Sequence, residues 1–329
     1  MLDVLRGPKR GRPRAVVAGG GGSFPAVRFL VATSGHGVVL YDRGRLVRVV
    51  PGNCYGLTRC GDWWFGFQRQ GAFGRIVRFQ LVGRHARHLR TVLYGLNYGV
   101  HQVDFVGDRL VVVDTLKNRL LVYDDATHAG RRSWRCWSSQ VYPVGVREVA
   151  DFRWDRLRCD RDSLGYRHFN SVFRHRDRLY LVAHNRTVAS GRRSQLYVLD
   201  DALVVREIRD LGSADVHNFW TDGTRQLFCA SAKGTLRLDG VDAVALGGYT
   251  RGLSVSGDLL LVGSSRFDVQ RRSRGDGDGQ VHAVTTDFSV LGHVVLPRTQ
   301  IHEIRRVDAA DLGLSNEAEA VPVAFTAPG

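Results

Sequence analysis

Lysine is nearly missing from this 329-residue chain. Only Lys9, Lys117 and Lys233 occur, so arginine carries the basic side of a formal net charge of +15. Such a balance suits an anionic partner, whether nucleic acid, anionic lipid or a small substrate, and it is equally produced by GC-rich coding. The arginines are scattered ("GRHARHLR", "SGRRS", "QRRSR") rather than aligned on one helical face. The five cysteines, Cys54, Cys60, Cys136, Cys159 and Cys229, contain no C-x-x-C, which argues against a disulfide framework or a thiolate zinc site. No apolar run is long enough for a membrane-spanning helix. The first residues lack an apolar core followed by a small-residue cleavage site, so a cytoplasmic protein is expected. G-x-S-x-G, a P-loop and a strand-to-helix G-x-G-x-x-G are all absent, and helical periodicity over ten or more residues is scarce.

What is present is a succession of short apolar runs rich in Val, Leu, Phe and Tyr, such as "GVVLYD", "RLVVVD", "RLLVYD", "QLYVLD" and "LLLVGSS". Gly, Asp and Asn punctuate them, which reads as many short antiparallel strands. The runs group into a unit of about 40 to 55 residues, the size of a four-stranded propeller blade. A tight turn divides the first two strands of each unit, at Gly61-Asp62, Gly107-Asp108, Arg176-Asp177, Asp222-Gly223 and Gly257-Asp258. The N-terminal "FLVATSGHGVVLYDRGRLVRVV" supplies three strands without a first, and the C-terminal "IHEIRRVD" supplies a first strand without the rest. Together they complete a blade and remove the open sheet edges. The expected fold is all-β: a six-bladed β-propeller over 27–308, with a basic flexible tail at 1–26 and a C-terminal arm at 309–329. Five or seven blades are the alternatives, because 140–165 fits the repeat poorly and reads as an insertion.

Counting back six residues from the turn in each unit reaches Tyr55, His101, Asn170, His217 and Arg251, and the closing blade gives His302. His168 lies two residues before Asn170, on the same face of its strand. Innermost strands line the central channel, so these leading residues should converge at one mouth. Neutral imidazoles from separate strands suit a divalent transition metal (Fe, Zn or Mn), with His101, His168, His217 and His302 as the expected ligands. Glu148 and Asp104 are candidates to orient them, while Glu303, next to His302, should face the other way. On this reading Arg251, Arg186 and Asn170 bind a small anionic substrate, and Tyr55 is a proton donor. Metal-free chemistry, with imidazole as nucleophile or general acid, is also coherent.

The stretch "HFNSVFRHRDRLYLVAHNR" resembles the H-x-N-S … R pattern of bacterial arylsulfotransferases, which are six-bladed propellers. The resemblance implies that His168 carries the sulfuryl group while Asn170 and Arg186 hold sulfate oxygens, with His217 and His302 as counterparts of further axial histidines. "GLSVSGDLLLVGSSR", ending at Arg266, has the same shape and adds Arg266 as a substrate-binding candidate. "NRLLVYD" resembles NHL and gluconolactonase-type repeats, which implies fold and not activity. A third reading is a non-catalytic scaffold that binds a protein partner by its rim.

Other signals are weaker. "PKRGRPR" matches the core of an AT-hook, a minor-groove binding segment, but arginine bias generates such a match easily. "GDGDG" at 275–279 lacks the later ligands of a calcium loop. Trp63, Trp64, Trp134, Trp137 and Trp154 read as packing between blades, because no basic groove can be traced around them.

Overall fold

The computed structural model describes residues 24–123, 167–267, 276–319 and 323–326, the side chains of 188 and 189 excepted, with the backbone of strands at 16–18, 136–142 and 145–149. Six antiparallel sheets form a six-bladed β-propeller. Blade 1 joins the two ends of the chain: Ile301–Arg306 is its inner strand, followed outward by Arg28–Thr33, Gly37–Asp42 and Arg45–Val50. The closing register pairs Phe29 with Arg306, Val31 with Ile304 and Thr33 with Ile301, as the incomplete units at the two ends of the sequence predict.

The inner strands of blades 2 to 6 are Asn53–Cys60, Val100–Val106, Phe169–His175, Val216–Thr221 and Tyr249–Ser256. Each is followed across a tight turn by an apolar second strand. Strands such as Gly37–Asp42 and Leu259–Ser265 are buried along their whole length. Both faces of a blade are covered by its neighbours, so period-two alternation vanishes and the run reads as continuously apolar. The outermost strands lose that cover; Val205–Asp210, in blade 4, is largely exposed. Among the described residues, five apolar clusters fill the wedges between adjacent blades, the largest spanning blades 4, 5 and 6. Burial of each large side chain there contributes roughly 1.5–3 kcal/mol. Turn chemistry fits: Gly107 takes φ +65° between the first two strands of blade 3, and Arg176 accepts φ +54° at the same place in blade 4.

The ends of the chain differ from the simple tail and arm that composition suggests. Val16–Ala18 forms a fifth strand on the outer edge of blade 6, paired with Val295, Val294 and His293. Phe24 packs against Phe29 and Tyr41. Blade 3 also has a fifth strand, Gly145–Val149, within the stretch read as an insertion; residues 143–144 and 150–165 of that stretch, Trp154 and Cys159 among them, lie outside the described ones.

The C-terminal arm folds across the far mouth of the channel. Asp311, Leu312 and Leu314 are fully buried. The Leu312 amide donates to Val255 of blade 6, and the Arg306 amide of blade 1 donates to Asp311 at 2.7 Å. Glu317 pairs with Arg59 of blade 2. Ser315 bonds Asp104 of blade 3 and accepts the Arg174 amide of blade 4 at 2.8 Å. Phe325 meets Trp220 of blade 5 edge to face, at 5.4 Å between centroids. All six inner strands are thus tied to one segment at their final residues. No helix among the described residues is long and apolar enough to cross a membrane.

Candidate functional site

Every inner strand breaks its regular pairing once, near its start. The skipped residues are Tyr55-Gly56, His101, Asn170, Asn218, Arg251-Gly252 and His302. These β-bulges fall on the positions reached by counting back from the turns, or, in blade 5, one residue after it. A bulge opposes two residues to one and re-aims the side chain. Here it lets consecutive residues on one strand serve different layers of the channel.

The upper layer is a chain of rings. Tyr55 stacks on His302 with centroids 4.1 Å apart, and lies 6.4 Å from His101. His101 meets His168 edge to face at 4.9 Å, and His168 lies 4.8 Å from His184. His184 is 5.2 Å from His217, which is 5.4 Å from Tyr249. Arg251 reaches from blade 6 toward blade 3, placing Nη2 3.3 Å from His101 Nδ1. Phe267 stacks on Tyr249 at 5.6 Å and is partly exposed at the lip.

Hydrogen bonds fix the imidazole tautomers. His217 Nδ1 lies 3.2 Å from the Asp215 carbonyl oxygen, which can only accept, and 2.9 Å from Ser231 Oγ, whose own proton goes to the Thr250 carbonyl. His217 therefore carries its proton on Nδ1 and its lone pair on Nε2. In His184 the order is reversed. Its Nδ1 accepts the Arg186 amide at 3.0 Å, so Nε2 bears the proton, 3.3 Å from the Tyr249 hydroxyl and 3.2 Å from Asp215 Oδ1. His302 bonds Ser34 Oγ through Nε2 at 2.6 Å. Burial, reinforced by the positive charge of Arg251, holds His217 and His302 well below the ordinary imidazole range, so both are neutral near pH 7.

The lower layer is a floor of hydrogen bonds. Gln102 Nε2 donates to Glu303 Oε2 at 3.1 Å, and Asn218 Nδ2 donates to Glu303 Oε1 at 3.1 Å. Gln102 accepts the Val172 amide at 2.5 Å, and Asn218 accepts the Gly252 amide at 2.7 Å. Glu303 also lies 3.3 Å from Arg305. Burial pushes the Glu303 carboxyl up to about 7 despite the Arg305 charge. Blades 1, 3 and 5 thus alternate a histidine above with a longer polar residue below: His302-Glu303, His101-Gln102 and His217-Asn218. Blades 2 and 6 put Gly56 and Gly252 in the lower layer. A Cβ on Gly56 would sit 2.6 Å from the Val103 amide nitrogen, so only glycine admits the neighbouring strand.

Of the residues expected at the site, Tyr55, His101, His168, His217, Arg251 and His302 come together. Asn170 turns away: its amide donates to the Val216 carbonyl at 2.8 Å and joins blade 4 to blade 5. Arg186 contributes its backbone amide to His184. Arg266 is exposed, next to Phe267 at the lip. Asp104 belongs to the opposite mouth, bonded to Thr58 and Ser315, and Glu148 lies on the outermost strand of blade 3. The histidines run as an arc with a guanidinium among them. Among the described residues no group of three or more His, Cys, Asp or Glu side chains is placed to hold a metal ion. His184, Asp215, Tyr249 and Ser231 are additions the sequence did not reveal. Tyr249 was within reach, since the two-residue step that relates His168 to Asn170 relates it to Arg251. His184 was not, because it follows the end of a second strand rather than leading a first.

No protein-family model matches the chain, and no curated protein matches it in sequence. Solved structures do. A candidate 6-phosphogluconolactonase from Bacteroides fragilis superposes with a TM-score of 0.54 at 9% identity, over 86% of this chain and 98% of that one. A chain of a nidogen/laminin complex gives 0.55 at 12%, over 85% and 97%. TolB from Acinetobacter baumannii gives 0.51 at 10%, over 87% and 68%. At such identities the likeness concerns the fold alone.

Proposed function

We propose that the histidine-lined mouth binds a small anionic substrate on Arg251 and moves protons to and from it through the surrounding imidazoles. The observation that carries this reading is the position of Arg251 beside His101, with its charge felt by His217 and His302. A guanidinium at the centre repels a dication and attracts an anion, more strongly where water is thinned out. The two best-defined histidines are oppositely poised. His217 offers an unprotonated Nε2 as general base, and His184 presents Nε2–H beside Asp215 and Tyr249 as proton donor. Tyr55 and His168 complete the wall.

Sulfuryl transfer through His168 is the narrower form of this reading. It is supported by the "HFNSVFRH" stretch and weakened by the engagement of the Asn170 amide between blades. A divalent metal on His101, His168, His217 and His302 is the competing one.

Calorimetric titration with inorganic sulfate and phosphate, alongside metal analysis of the purified chain, tests these readings. Anion binding that weakens at least tenfold in Arg251→Met, with no stoichiometric metal, is the expected result. Turnover of an aryl sulfate lost in His168→Ala would add sulfuryl transfer. Stoichiometric metal lost in His101→Ala and His217→Ala would replace the anion reading. Absence of both metal and anion binding leaves a scaffold.

A further inference from the structure

Blade 2 departs from blades 4 and 5 in charge. Residues 53–97 hold seven arginines and a single acidic residue, Asp62. On blades 4 and 5 the outer arginines are matched by carboxylates: Arg206 by Asp200 at 2.5 Å, Arg209 by Glu207 at 2.5 Å and Arg237 by Asp242 at 3.0 Å. On the outer strand of blade 2, His85–Asn97, Arg87 and Arg90 are exposed and, among the described residues, have no carboxylate within ion-pair distance. Arg90 also lies directly opposite Arg78 across the sheet, a like-charge pairing that destabilises a strand pair unless an anion offsets it.

The same place is concave and aromatic. The pairing of Arg78 with Arg90 and of Gln80 with Arg87 leaves His88 and Leu89 in a bulge, His88 at φ +52°. The bulge turns them over Trp63, with the His88 ring 6.2 Å from the indole. Arg78 lies on the indole itself, 4.1 Å from the ring centroid. Trp63, Gln80, His88, Leu89 and Arg90 line a depression of about 410 Å³. Its lining comes from the second, third and outermost strands of the blade, whereas the histidine mouth is built at the starts of the inner strands.

From this juxtaposition we propose that blade 2 binds single-stranded nucleic acid, with phosphates on Arg87 and Arg90 and one base in the depression against Trp63 and His88. Paired guanidinium charge next to a stacking surface is what a splayed strand requires. A duplex keeps its bases within its own stack, and an acidic peptide brings charge without a ring to fill the cleft. The proposal is independent of the chemistry at the channel mouth.

Fluorescence anisotropy of the full chain with a labelled, mixed-sequence DNA strand of roughly 12 nucleotides tests it. Binding should weaken steeply from about 50 to 200 mM salt, and Arg87→Gln/Arg90→Gln should lower the salt slope by about 0.7 per lost contact. The double variant should lose at least tenfold in affinity. Arg206→Gln/Arg209→Gln, which removes equal charge from blade 4, should leave affinity within twofold. Trp63→Phe, which keeps a ring, should bind; Leu89→Asp should not. Equal losses in the two arginine doublets, undiminished binding in Arg87→Gln/Arg90→Gln, or preference for duplex or poly-glutamate would overturn it. So would no binding at the lower salt.

Discussion

Arg251 and the imidazoles around it form a set whose members alter one another's proton affinity. Burial lowers His217 and His302, and the guanidinium lowers them further. Replacing Arg251 by Met removes a positive charge, so protonation becomes easier and both titration midpoints should rise. His282, held down to about 4 by burial and by His293, has no such neighbour and should not move. Histidine-selective ¹⁵N NMR against pH separates these outcomes; unmoved His217 and His302 would mean that burial alone sets them. At this scale the sequence was informative where one strand rule sufficed. Tyr55, His101, His217, Arg251 and His302 were found by register alone. Asn170 shared that register yet points between blades, because a bulge decides direction residue by residue. His184 follows a second strand, a place that no inner-strand register describes.

Among elements, the bulged inner strands and the C-terminal arm matter most for the site. At the Arg251-Gly252 bulge, Gly252 takes φ +84°, and a Cβ there would lie 3.1–3.2 Å from Ile304 and the Glu303 carbonyl carbon. Gly252→Ala should therefore cost about 2 kcal/mol or more, from backbone strain and crowding together, read as a lowered urea midpoint. Leu314→Ala empties a fully buried position in the arm and should cost about 2–5 kcal/mol. Its more specific signature is local. The Gly107, Arg174 and Arg176 amides, which donate to Asn316, Ser315 and Glu319, should exchange faster with deuterium, while strand starts near His101 stay protected. The blades were legible in the sequence because both faces of a second strand are covered, leaving an unbroken apolar run between turn residues. The arm was not, because its contacts, single polar atoms together with a few buried apolar side chains, are scattered over six strand ends and leave no periodic trace.

For the whole molecule, buried ionisable groups pull stability in opposite directions over one pH range. His282, at about 4 in the fold, stays neutral where the unfolded chain takes up a proton, so its contribution is complete above the ordinary imidazole value near 6.5 and lost as pH falls. Full loss is on the order of 3 kcal/mol. Glu303, raised to about 7, does the reverse: the fold holds a proton the unfolded chain releases above about 4.5, so stability falls as pH rises through that window. The two partly cancel, and variants should unmask each. Glu303→Gln should make the acid-side loss steeper, and His282→Asn should make it shallower, in denaturant unfolding between pH 4.5 and 7. Parallel profiles for both variants and the parent chain would contradict the opposed assignment.

The arm has a further consequence for what can visit the histidines. With a stopper at one end of the ring and a lattice of amide and carboxyl groups beneath the imidazoles, the channel is blocked behind them. A molecule admitted there must back out by the opening it used, so a long polymer could offer only its tip and never be drawn through.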